Sequence, residues 1–145
     1  MLLVFGSGPL MAAAGIGIYI VGVTWFAKRE AETSHKTTLW AAMGVMAAGV
    51  ALLGAAVLPF RGLAMDRNLY WLLLVLLMIT VLRRCIAAAV DPAPEKVQAA
   101  VKHSILSLIW LDAATAAAVA GPMYGIAVAA LLIPALVLGW WVYST

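Results

Sequence analysis

Glu30 and Glu32 stand two residues apart, with Lys28 and Arg29 before them and Lys36 after. Carboxylates so spaced suit Mg2+, a hard ion that takes one or two protein oxygens and shares the rest of its shell with substrate phosphates. The three cations suit the phosphate oxygens. The same run also reads as a solvated loop whose charges only fix topology, as charges beside spans routinely do. A second basic group follows: Arg83 and Arg84, then Lys102 and His103. All four can reach one anionic headgroup from two helices, or serve lipid contact and topology alone. Asp112 stands apart from both groups, deep in an apolar run. An acid at that depth is costly, so it is expected either to function or to hydrogen-bond a neighbouring helix. At 100° per residue, Ser104, Ser107, Asp112 and Thr115 share one broad helical face, which should point into a bundle. His103 has no second ligand at helical spacing and reads as interfacial. The single cysteine, Cys85, excludes an intrachain disulfide and reads as a packed or lipid-facing thiol. No HExxH, CxxC, Walker or GxGxxG pattern occurs.

The elements that must hold these groups follow from composition. The chain is 66% hydrophobic and 10% charged, with mean hydropathy +1.08. Soluble domains carry about 25% charged residues. A surface this apolar is matched by lipid, not water. A spanning helix takes about 20 residues, so 145 residues allow five spans and no separate soluble domain. The fold expected is an all-α polytopic transmembrane helical bundle, one membrane domain over 1–145. Its spans are expected near 10–27, 38–58, 69–90, 101–120 and 123–143, the fourth preceded by an interfacial segment from Glu95. Pro9 suits a first helical turn, Pro59 ends the second span, and Pro134 should kink the fifth. Asp91 is expected to cap the fourth helix. Trp140, Trp141 and Tyr143 fit an aromatic belt. The N-terminus lacks the basic region of a signal peptide and reads as part of the mature chain.

The net charge of +3 points to membrane surfaces, not to nucleic acid. The first loop carries Lys28, Arg29 and Lys36; the third carries Arg83, Arg84, Lys96 and Lys102; the second carries only Arg61 and Arg67. The positive-inside rule then puts loops one and three in the cytoplasm, with the N-terminus outside and the C-terminus inside. Small residues recur at four-residue spacing in Gly44 and Ala48, in Ala47, Ala51 and Ala55, and in Gly121 and Gly125. Such pairs let helices approach closely within a bundle or between copies.

The stretch Thr24-Trp25-Phe26-Ala27-Lys28-Arg29-Glu30-Ala31-Glu32-Thr33-Ser34 resembles the second polar motif of the UbiA-type membrane prenyltransferases. The run from Asp91 through Lys102-His103-Ser104 to Asp112 is similar to the C-terminal part of that family, especially its divergent bacterial, EboC-like branch. The resemblance covers nearly the whole chain but about the C-terminal half of a typical member. It implies a helical bundle in a bacterial inner membrane, with a polar cavity on the cytoplasmic side. It implies transfer of an isoprenoid chain from a prenyl diphosphate to a lipid or aromatic acceptor, assisted by Mg2+. On this resemblance Glu30 and Glu32 fall on metal-binding positions, and Lys28, Arg29, Lys36, Arg83 and Arg84 would hold the diphosphate. Val23 stands where the family usually has an aspartate. The family's first motif, Asn-x-x-x-Asp-x-x-x-Asp, has no counterpart here, which implies an N-terminal half-chain as partner. Two other classes stay open: a non-catalytic lipid-binding or assembly subunit, and a proton-coupled transporter resting on Asp112.

Overall fold

A computed structural model describes residues 8–28, 36–58, 62–91 and 93–144. They form six helices: α1 (Gly8–Lys28), α2 (Lys36–Ala56), α3 (Arg67–Val90), α4 (Pro94–Ala120), α5 (Pro122–Ala130) and α6 (Leu132–Ser144). No strand occurs among the described residues. Each of α1 to α4 is long and apolar enough to cross a membrane, and α5 with α6 makes a fifth span. The chain is an all-α integral membrane protein. The 21 residues of α1 reach about 32 Å at 1.5 Å per residue, close to the ~30 Å of a hydrocarbon core. The 27 residues of α4 reach about 40 Å, so one end of it projects. Glu95, Lys96 and Lys102 are exposed on that end.

Local chemistry sets the helix ends. The Asp66 carboxylate accepts the Asn68 backbone N–H at 3.2 Å and opens α3. Pro94 and Pro122 open α4 and α5, where a missing N–H costs nothing. Between them Gly121 adopts φ 117°, a conformation that favours glycine. One boundary differs from the sequence expectation, and the expected kink at Pro134 takes a definite place. Asp91 does not cap α4: Ala93 takes that position, and the Asp91 carboxylate instead accepts the Lys96 ammonium at 2.6 Å. That hydrogen bond and its charge hold the Asp91 carboxyl below the usual range, so its hold on the turn is present at neutral pH and fades as pH falls through the lowered value. The fifth span breaks at Leu131, three residues before Pro134. The pyrrolidine ring acts backward on the carbonyl four residues earlier, at Ala130, and leaves it without its helical donor. The Leu131 N–H turns to the Val128 carbonyl at 3.0 Å.

The helices pack in a ring: α1 lies along α2, α2 meets α3, α3 lies along α4, and α4 meets α1. Outside the ring α5 packs on α4, and α6 joins mainly through α5. Tyr19, Phe26, Leu39, Met46, Leu53, Tyr70, Leu74 and Val81 fill the middle. Leu72, Leu76, Ile79, Trp110 and Trp140 face outward, as lipid-facing residues should. The closest backbone approach joins α1 to α2. A Cβ at Gly49 would stand 2.6 Å from the Tyr19 nitrogen, and one at Gly15 would stand 2.8 Å from the Gly49 carbonyl oxygen. Of the small-residue pairs, Gly125 packs against Ala117 of α4, whereas Gly44 and Ala48 face outward.

Replacing Gly49 with leucine should therefore push α1 from α2 and cost about 1–3 kcal/mol, as overpacking does. Thermal unfolding in detergent reads the loss. Gly44→Leu, with open space around it, should leave the midpoint unchanged.

Candidate functional site

The end of the bundle that carries the first and third loops gathers the groups with chemistry. On one side of α4, Tyr19, Ile20, Val23, Thr24 and Ala27 of α1 face Val101, Ser104, Ile105 and Leu108 of α4 across an apolar groove of about 330 Å3. That is at the low end of small-molecule sites. Its α1 wall ends at Ala27, one residue before Lys28. Lys28 is exposed at the last turn of α1. The chain next continues through Arg29, Glu30 and Glu32, which lie outside the described residues. Lys36 begins α2; its side chain is also outside what is described.

On the other side of α4 lies a wider cleft of about 520 Å3, lined by Thr80, Arg83, Arg84 and Ala87 of α3 and His103 of α4. His103 and Ile105 are two residues apart on one helix, so they point about 200° apart. The helix body of α4 thus stands between cleft and groove, and the two share no described lining residue. Of the second basic group, Arg83, Arg84 and His103 come together here, while Lys102 is not among the described lining residues. Arg83 and Arg84 consequently stand at a different cavity from the one that ends beside Lys28.

The polar face of α4 is largely satisfied by its own helix. Ser104 donates to the Ala100 carbonyl, Ser107 to the His103 carbonyl and Thr115 to the Leu111 carbonyl, each at 2.8 Å. Ser104 and Ser107 are buried. Two tyrosines tie α4 to its neighbours: Tyr19, overlooked in the sequence, and Tyr70, which reads there as a span-end aromatic but is buried. The Tyr19 hydroxyl donates to the Ser104 carbonyl at 3.0 Å, and the Tyr70 hydroxyl lies 3.0 Å from that of Thr115. Their signal was a phenol inside an apolar run, which needs a partner when buried. Cys85 is buried, its sulfur 3.8 Å from the Ser104 hydroxyl. These groups hold helices together and leave little for a ligand.

Asp112 differs. It is half-buried on α4, one turn beyond Leu108, and no hydrogen bond or ion pair reaches it among the described residues. Among the described residues no group of three His, Cys, Asp or Glu side chains can hold a metal. Val23, where an aspartate was expected from the resemblance, is buried and lines the apolar groove. No family model, curated protein or solved structure matches the chain.

An unpaired carboxyl inside a span should cost stability. Asp112→Leu is expected to raise the unfolding free energy in lipid nanodiscs by about 3 kcal/mol, the scale of inserting an acid at a helix centre. A drop in stability would reveal a partner for Asp112.

Proposed function

We propose that the chain supplies the isoprenoid-diphosphate half of a UbiA-type membrane prenyltransferase, with its two basic loops in the cytoplasm. The observation that carries this reading is the apolar groove between α1 and α4, which closes at Ala27 where the charged run from Lys28 to Lys36 begins. A prenyl diphosphate has the same layout: a methyl-branched chain joined directly to a dense anionic head. Val23, Ile105 and Leu108 would sheath the chain and exclude water from a carbocation-like carbon. Lys28, Arg29 and Lys36 would spread the phosphate charge.

Glu30 and Glu32 fit the donor set of Mg2+, since two carboxylates suffice when phosphates complete the shell. When bound, the ion would neutralise charge building on the departing diphosphate. The allylic C–O bond breaks with its electron pair leaving on the diphosphate, and the acceptor forms the new bond and sheds a proton. The first acidic motif, absent from this sequence, would come from an N-terminal half-chain. The seven basic residues of loops one and three against two in loop two support the cytoplasmic placement.

Binding, rather than turnover, tests the reading for this chain. In nanodiscs, farnesyl diphosphate should bind with an affinity that rises with Mg2+. Glu30→Gln should weaken it about tenfold, the value of one charge-assisted contact. Leu108→Trp should fill the groove and abolish the advantage of the prenyl chain over inorganic diphosphate. If neither substitution alters affinity, the proposal fails.

A further inference from the structure

The cleft on the far side of α4 shares no described lining residue with the α1–α4 groove and carries its own charged groups. Arg83 and Arg84 are exposed, and neither has a hydrogen bond or ion pair among the described residues. Two cations side by side repel, so an anion between them is favoured. Thr80 lies one turn back on the same face of α3, and its hydroxyl proton is already given to the Leu77 carbonyl at 2.7 Å. It forms a wall, not a donor. His103 closes the cleft from α4, and its Nε2 is buried with no hydrogen-bond partner. That nitrogen is closed off by the protein, so the imidazole serves the cleft as its α4 wall.

The surroundings say what carries that anion. From Thr80 the outward face of α3 continues toward the membrane middle through Leu76 and Leu72, 50% and 54% exposed. On the α4 side, Trp110 lies two turns beyond His103 on nearly the same face and is 47% exposed. The cleft thus has basic groups at the end of a span and an open apolar track below them. A free phosphate would use only the top. A membrane lipid would use both.

We propose that the α3–α4 cleft is a binding site for an anionic phospholipid, with the headgroup phosphate held by Arg83 and Arg84 against the His103 wall and an acyl chain lying between Leu76 and Trp110. The site is separate from the α1–α4 groove and does not depend on prenyl transfer. Guanidinium groups suit it because their planar fork matches phosphate oxygens two at a time. It would fix one lipid against the α3–α4 pair and so anchor the depth of both helices.

The test is lipid binding to the intact chain in phosphatidylcholine nanodiscs doped with fluorescent phosphatidylglycerol. The wild type should bind it saturably. The double substitution Arg83→Gln, Arg84→Gln should weaken binding roughly thirtyfold, as expected for two basic side chains at a headgroup. Arg83→Lys with Arg84→Lys, which keeps charge but not the fork, should fall between. Trp110→Ala should weaken long-chain phosphatidylglycerol more than a short-chain form. Arg67→Gln, at the opposite end of α3, should change nothing. Unfolding curves in phosphatidylcholine alone establish that each variant is folded. Loss of binding by Arg67→Gln equal to that of the double substitution, or full binding in the double substitution, overturns the site. Complete displacement by inorganic phosphate would show an anion site without lipid preference and overturn it as well. Displacement by farnesyl diphosphate in a Glu30→Gln background would merge cleft and groove ligands and defeat the claim that they are separate.

Discussion

Lipid supplies no hydrogen bonds, so every polar group inside the spans must find its partner in the chain. That constraint organises this protein. The hydroxyls of Ser104, Ser107 and Thr115 all bond carbonyls one turn earlier. The phenols of Tyr19 and Tyr70 bridge to α4. Charges retreat to the span ends, where water and headgroups can meet them. What remains unmatched is conspicuous for that reason. Asp112 in α4 and the Nε2 of His103 are two groups whose needs the described residues leave unmet.

Much of the architecture was legible because lipid demands long apolar runs. The helix ends at Lys28, at Asp91 and at Gly121-Pro122 follow from the charges and prolines there, and no strand occurs among the described residues. The kink expected from Pro134 is there as well, at Leu131, because the ring disturbs the turn before it. Other fine features were not legible. Asp91 looked like a cap, yet a neighbouring lysine competes for its carboxylate. Gly44 and Gly49 look alike in the sequence. One faces outward and the other meets the backbone of α1, and only the order of helices around the ring decides between them.

The same order governs the site. Sequence placed Arg83, Arg84 and His103 near one another, and they do line one cleft. It also grouped those arginines with Lys28, which stands beside the other cavity. No periodicity within a single helix reveals which neighbour lies on which flank. In this ring α4 has α1 on one side and α3 on the other, so its basic end serves two different spaces. The groove is narrow and apolar; the cleft is wider and cationic. Loop one was readable as chemistry from its carboxylates and cations alone.

The joint at Leu131 has a mechanical consequence. Before it, α5 is clamped where Gly125 meets Ala117. After it, α6 is largely surrounded by whatever lies outside the bundle, with Trp140 and Trp141 79% and 66% exposed. Those indoles favour the bilayer interface. A thinner or thicker bilayer would therefore be met by a change of tilt in this last half-span, at a hinge already short of one hydrogen bond, while the four-helix ring keeps its geometry.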